Sequence, residues 1–200
     1  MKFFLILFIF AHFFITSSFA ATHILFLGDS LSEGQGLDEE QSFPRVVERN
    51  LRTKKYDVLV TNGGVSGSTS ASGVTRLKWH LKKKTNIVVL ELGANDGLRG
   101  LKLDETQKHL TNIIRLAKEK KVKILLLGLL MPPNYGKKYV KDFEDMYKKI
   151  AKNEKIPLLP FVLKDVAGKS DLNLPDGIHP NQKGHEIIAK TVSDFVEKYL

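Results

Sequence analysis

Cysteine is absent from this 200-residue sequence, which excludes disulfide bridges and a cysteine-linked lipid anchor alike. There is no H-E-x-x-H zinc motif and no G-x-S-x-G nucleophile elbow, and no P-loop lysine or dinucleotide fingerprint follows the glycine-rich stretches. Linkers of low complexity, internal repeats and shifts of composition are missing after residue 21. So is an apolar run of the roughly 20 residues that a membrane span requires. The stretch that comes nearest, "FFLILFIFAHFFI" (3–15), stands behind Lys2 and ahead of "SSFA". That order of positive start, short apolar run and small residues at Ser18 and Ala20 describes a secretory signal peptide, residues 1–20, cut after Ala20. An uncleaved N-terminal membrane anchor is the alternative. Export to the periplasm or beyond the cell is expected. Without disulfides, the apolar core alone must hold residues 21–200, the length of one ordinary domain.

Acidic residues are in the minority, with 22 Asp and Glu against 31 Lys and Arg. Much of the excess lies in "LKKK" (81–84), "KEKKVK" (118–123) and "GKKYVK" (136–141). Such runs are ordinarily solvated helix faces and loops; their functional alternative is transient attraction to an anionic membrane surface or to acidic substrates. No nucleic-acid recognition motif accompanies the charge, so nucleic acid is not an expected partner.

Nearly continuous apolar runs predict buried strands at 22–28, 57–62, 86–93 and 122–130, and a fifth, "IPLLPF", at 156–161. Helical spacing marks "FPRVVERNLR" (43–52), a segment over 104–121 with Asp104 as N-cap, and a last helix carrying Ile187, Ile188, Val192, Phe195 and Val196. Strand–helix alternation with doubly buried strands implies an α/β fold, a three-layer flavodoxin-like sandwich around a mainly five-stranded parallel sheet. Ligands of such sheets bind beyond the carboxyl ends of the strands. The segments there read "GDSLSEG", "NGGVSGSTS", "GANDG", "MPPNYG" and "DGIHP". They are rich in Gly, Asn, Ser and Asp, unlike loops chosen only for solubility.

These segments contain the parts of an acyl-transfer site. A serine hydroxyl needs a base within hydrogen-bond reach, the base needs a carboxylate that fixes its tautomer, and the tetrahedral oxyanion needs fixed donors. Ser30 after the first strand is the candidate nucleophile. His179 is the candidate base and Asp176 its partner, since Gly177 permits a tight turn and Pro180 disfavours the helical region at His179. Donors are available from the backbone N–H groups of Ser30 and Gly67 and from the side chain of Asn95. Each residue alone has a bland reading, as a turn, cap or loop residue; their joint presence on one edge favours catalysis. His179, His185 and Glu186 lack metal-ligand spacing, and His185 reads as a surface or packing residue of the last helix. His23, His80 and His109 have no evident partners.

In order and spacing, "GDSLSEG", the glycine of "NGGVSGSTS", "GANDG" and "DGIHPN" resemble the four blocks of the SGNH or GDSL hydrolase family over essentially all of 21–200. "LELGANDGLRG", "PPNYGKKY" and "PLLPF" are similar to its bacterial periplasmic multifunctional branch of thioesterases, lysophospholipases and arylesterases. The resemblance implies Ser30 as nucleophile, His179 as base and acid, Asp176 as orienting carboxylate, and Ser30, Gly67 and Asn95 as the oxyanion hole. It implies neither a metal nor an organic cofactor. The flanks "EEQSFP" (39–44) and "KDVAGKSDLNLP" (164–175) depart from that branch, which leaves acyl-chain preference open. "LLMPPNY" (129–135), with Met131, Pro132, Asn134 and Tyr135, is either an acyl-contacting wall or ordinary loop packing.

The expected protein is thus a monomeric, exported serine esterase acting on small aryl esters, acyl thioesters and lysophospholipids. Two rivals are an acetylesterase of cell-envelope sugars and a non-catalytic ligand-binding module of flavodoxin-like shape.

Overall fold

The computed structural model describes residues 21–200; the expected signal peptide, 1–20, lies outside the described residues. Five parallel strands form one sheet: β1 (Thr22–Gly28), β2 (Val58–Asn62), β3 (Ile87–Glu91), β4 (Lys123–Leu127) and β5 (Leu158–Leu159). Their order is β2-β1-β3-β4-β5, the flavodoxin-like arrangement anticipated from the sequence. The helices α2 (Phe43–Thr53) and α7 (Gln182–Val196) pack together on one face, and α3 (Gly73–His80), α5 (Leu103–Glu119) and α6 (Lys137–Glu154) cover the other. Two single turns, α1 (Ser30–Glu33) and α4 (Ala94–Leu98), follow β1 and β3. Winding reverses between β1 and β3, where Gly28 stands beside Glu91 in register. The connections leaving these strands diverge to opposite faces and open a crevice at their carboxyl ends.

Burial explains which strands sit where. All five residues of β3 are buried, as the unbroken Ile-Val-Val-Leu run requires of a central strand. β2 departs from the expected double burial. It is an edge strand whose Val58 and Val60 face the core while Leu59 is 41% exposed. β5 shrinks from the six predicted residues to two, because Pro157 and Pro160 on either side offer no N–H to a ladder. α5 begins two residues earlier than predicted: Lys102 is its N-cap, and Asp104 lies with Glu105 in the first turn, where negative charge suits the positive helix end. α3 and α6 add to the helices read from the sequence. In α6, Phe143, Met146, Tyr147, Ile150 and Ala151 make a buried stripe at helical spacing, each large side chain contributing about 2 kcal/mol of burial.

Candidate active site

Ser30 is the first residue of α1, immediately past β1. Asp29 caps that turn, its Oδ1 accepting from the Leu31 N–H at 3.1 Å. Gly34 closes the turn in the left-handed conformation, φ 85°. The serine is thereby held at the crevice with its own N–H at a helix start, where backbone donors point outward.

Asp176 and His179 come from the far end of the chain, on the loop between β5 and α7. The polar start of α7 is provided by another residue: Asn181 is its N-cap, accepting from the Gly184 N–H at 3.1 Å. Asp176 and His179 are left free of capping duty. The loop is closed by Leu174 N–H to His179 O at 2.7 Å, with Gly177 at φ 69° in the turn. Asp176 Oδ1 accepts the N–H groups of Ile178 and His179, at 2.8 and 3.0 Å, and its Oδ2 meets His179 Nδ1 at 2.7 Å. His179 Nε2 lies 2.9 Å from Ser30 Oγ, across 149 residues of sequence. The carboxylate differs from a buried one. Its side chain is 41% exposed, and its pKa falls to about 2 because the N–H and the ring of His179, then the Ile178 N–H, all favour the charged form.

The three expected donors come from three loops at the same edge: Ser30 after β1, Gly67 after β2 and Asn95 in α4 after β3. Gly67 has φ 73°, and a Cβ there would meet only Arg99 Nη2, at 3.6 Å. Glycine is therefore required by backbone conformation, in addition to any close approach of a ligand. Gly93, just ahead of Asn95, has φ 121°, and a Cβ there would come within 2.3 Å of the Tyr147 hydroxyl, which donates to Leu92 O at 2.8 Å. α6 thus packs directly beneath the turn that carries Asn95.

The sequence model of the GDSL-like Lipase/Acylhydrolase family matches residues 26–187. The chain belongs to this family. It is similar to Esterase TesA of Pseudomonas aeruginosa, 41% identical over 83% of each chain. It is also similar to Thioesterase 1/protease 1/lysophospholipase L1 of Escherichia coli K12, 37% identical over 90% of this chain and 84% of the other. Among solved structures, a crystal structure of TesA superposes with a TM-score of 0.87 at 37% identity, covering 90% of this chain and all of that one.

The GDSL hydrolase also carries a buried polar layer beneath these residues that the sequence did not single out. Asn95 Nδ2 donates to Asp29 Oδ2 at 3.2 Å, which fixes the orientation of the amide. Asp29 is fully buried, and desolvation lifts its pKa to about 6 against the pull of the Leu31 N–H, Asn95, His179 and Arg76. Below it Glu91, also fully buried, accepts from Ser32 Oγ at 2.8 Å; burial and then the Asp29 charge push it upward. Arg76 donates to the carbonyls of Gly28 and Gly63, clamping the ends of β1 and β2. A second cluster joins the loops of the expected donors: Asp96 accepts from the N–H and Oγ of Ser70 at 2.9 and 2.5 Å. His109, expected to stand alone, has its Nδ1 3.3 Å from Ser70 Oγ. The only advance signal was that Asp29 and Asp96 lie inside the "GDS" and "GAND" blocks.

The segment after β4 divides. Met131 of the GDSL hydrolase is buried under α4, where a Cβ on Gly97 would reach its Sδ within 2.4 Å. Pro132, Asn134 and Tyr135 are exposed, and the Tyr135 hydroxyl donates to Leu98 O at 3.0 Å. On the other side of α1 lies a polar cleft of about 530 Å³, lined by Glu33, Gln35, Asn62 and Ser66 among others. His185 resolves as a packing residue: it is buried, stacks on Phe43, and its Nδ1 accepts the Phe43 N–H at 3.0 Å.

Proposed function

We propose that this GDSL hydrolase is an exported, monomeric serine esterase that cleaves aryl esters, acyl thioesters and lysophospholipids through an acyl-enzyme on Ser30. The observation that carries the reading is the continuous relay from Ser30 Oγ through His179 to Asp176, with contacts of 2.9 and 2.7 Å. His179 Nε2 takes the hydroxyl proton as Ser30 Oγ attacks the carbonyl carbon. Asp176, ionised at any pH well above about 2, holds the Nδ1–H and stabilises the imidazolium. The oxyanion is received by the N–H groups of Ser30 and Gly67 and by the Asn95 N–H not engaged by Asp29, each donor contributing about 10²–10³ in rate. The imidazolium returns its proton to the departing alcohol or thiol. Water, deprotonated by His179, then attacks the acyl-enzyme and releases the acid and free Ser30. No step calls for a metal or organic cofactor. In this reading Pro132, Asn134 and Tyr135 form the wall along which an acyl chain lies, with Met131 supporting it from below, and the polar cleft beside Ser66 takes the leaving group. The basic surface makes transient contact with anionic membrane.

The test is hydrolysis of p-nitrophenyl esters from acetyl to palmitoyl by residues 21–200 and by Ser30→Ala. The expected result is turnover peaking at medium or long chains and reduced by about 10³-fold or more in the variant. Turnover confined to acetyl would favour an acetylesterase, and turnover that survives Ser30→Ala would end the nucleophile assignment.

A further inference from the structure

The carboxyl edge of the sheet holds the site; the amino edge, opposite, has a different character. Four connections lead there into β2, β3, β4 and β5, covering 54–57, 81–86, 120–122 and 155–157. Together they contain eight lysines and a single carboxylate, Asp57. Among the described residues only Lys54 of the eight has an ion-pair partner. Three of them, Lys55, Lys121 and Lys155, stand at helix ends with φ 68°, 57° and 49°. Glycine is the usual occupant of that conformation, so the charge is kept at a conformational cost. No Asp or Glu occurs anywhere from 58 to 90. The strand-to-helix connections of the catalytic edge, by contrast, hold nine carboxylates and four Lys or Arg.

An aromatic anchor lies in the most basic part of this edge. Trp79, in the last turn of α3, is 60% exposed and stands edge-on to His80 with ring centroids 4.8 Å apart. It borders a groove of about 220 Å³ that Thr61, Lys83 and Lys84 also line. Leu59, exposed on the edge strand β2, shares the outward face with Thr61. Lysines that can lie against phosphates around an indole with one polar end and an apolar body are the makings of a membrane-interface contact.

We infer that the amino edge of the sheet is a docking surface for an anionic phospholipid bilayer, with Trp79 entering the headgroup layer and Lys82, Lys83 and Lys84 against lipid phosphates. The proposal rests on the exported-esterase reading above and gives its membrane contact a place and an orientation. The catalytic mouth, at the opposite edge, then faces water. The docked enzyme is held at the membrane but takes substrates that reach it as soluble monomers rather than from the leaflet beneath it. Thr22 opens β1 at this same edge, so any part of 1–20 that stays attached joins the domain here. The test therefore uses residues 21–200, which contain every described element.

Trp79 is the chain's only tryptophan, and its emission reports the contact directly. The signal-free chain is titrated with vesicles of phosphatidylcholine alone and with about 30 mol % phosphatidylglycerol. The expected result is a blue shift with the anionic vesicles and an affinity about tenfold or more above that for the neutral ones, lost near ~0.5 M salt. The triple variant Lys82→Glu, Lys83→Glu, Lys84→Glu should lose the preference while keeping full turnover of a soluble nitrophenyl ester, which also certifies its fold. Equal affinity for both vesicles, binding without a blue shift, or an identical response to soluble heparin would each overturn the proposal. None of these outcomes touches the esterase reading, which stands or falls with Ser30→Ala.

Discussion

Asp29 precedes Ser30, the proposed nucleophile, and carries a charge that its burial resists, with a pKa near 6. Its ionised Oδ2 accepts only, so it admits the NH₂ end of the Asn95 amide and rejects the carbonyl end, leaving the second N–H of Asn95 for the substrate. Protonation of Asp29 removes that selectivity as pH falls through about 6. The fall of kcat on the acid side should therefore contain a step near pH 6 set by Asp29. Asp29→Asn should lower kcat by about 10²-fold with little change in KM, since the loss is of a transition-state donor, and the step near pH 6 should be missing from its profile. A variant with wild-type kcat would exclude Asp29 as a positioning residue. Ser30, Gly67, Asn95, Asp176 and His179 could be singled out in the sequence because each follows a strand end in a loop of unusual composition. Asp29 could not, because its role depends on a contact with a residue 66 positions away.

At the scale of elements, periodic apolar patterns foretold β1, β3, β4, α2 and α7, while tertiary partners decided what the patterns left open. Prolines cut β5 short, and α2 is the instructive case. Ser42, its N-cap by position, makes no side-chain capping bond; the Phe43 N–H is instead accepted by His185 Nδ1 from α7. No local sequence signal could announce a cap supplied from 142 residues away. The arrangement requires a neutral imidazole, and burial first, then the charge of His179, lower the His185 pKa to about 4 from 6.5. Because the unfolded chain binds this proton more readily, the contribution is complete above about 6.5 and is lost as pH falls toward 4. The loss is about 3 kcal/mol, or on the order of 6–12 °C in Tm for a domain of this size. His185→Gln keeps an acceptor that does not titrate. Thermal melts of both proteins between pH 7 and 4 should diverge by roughly that amount as wild type loses stability. The opposite contribution of Asp29, whose raised pKa stabilises the fold as pH falls, is common to both and cancels in the difference. Parallel melting curves would show that His185 is not what α2 depends on.

For the whole molecule, net charge and charge distribution make opposite statements about substrate encounter. The sequence gives a formal +9, or +8 without Lys2, and on that sum an anionic substrate is attracted and salt slows its capture. The fold separates the charges. The connections feeding the strands take the lysines, and those leaving them take nine carboxylates to four cations, including Glu33, which shares the turn α1 with Ser30. An approaching substrate meets the catalytic edge first, and beyond a Debye length of about 8 Å at physiological salt the lysines of the far edge are screened from it. The encounter should follow the local sign. For an anionic acyl thioester, kcat/KM is expected to rise severalfold as ionic strength goes from about 0.01 to 0.15 M, while that for a neutral nitrophenyl ester of the same chain length stays level. A fall with salt for the anionic substrate would mean that the lysines of the far edge govern encounter, and that the separation of charge between the two edges serves membrane docking alone.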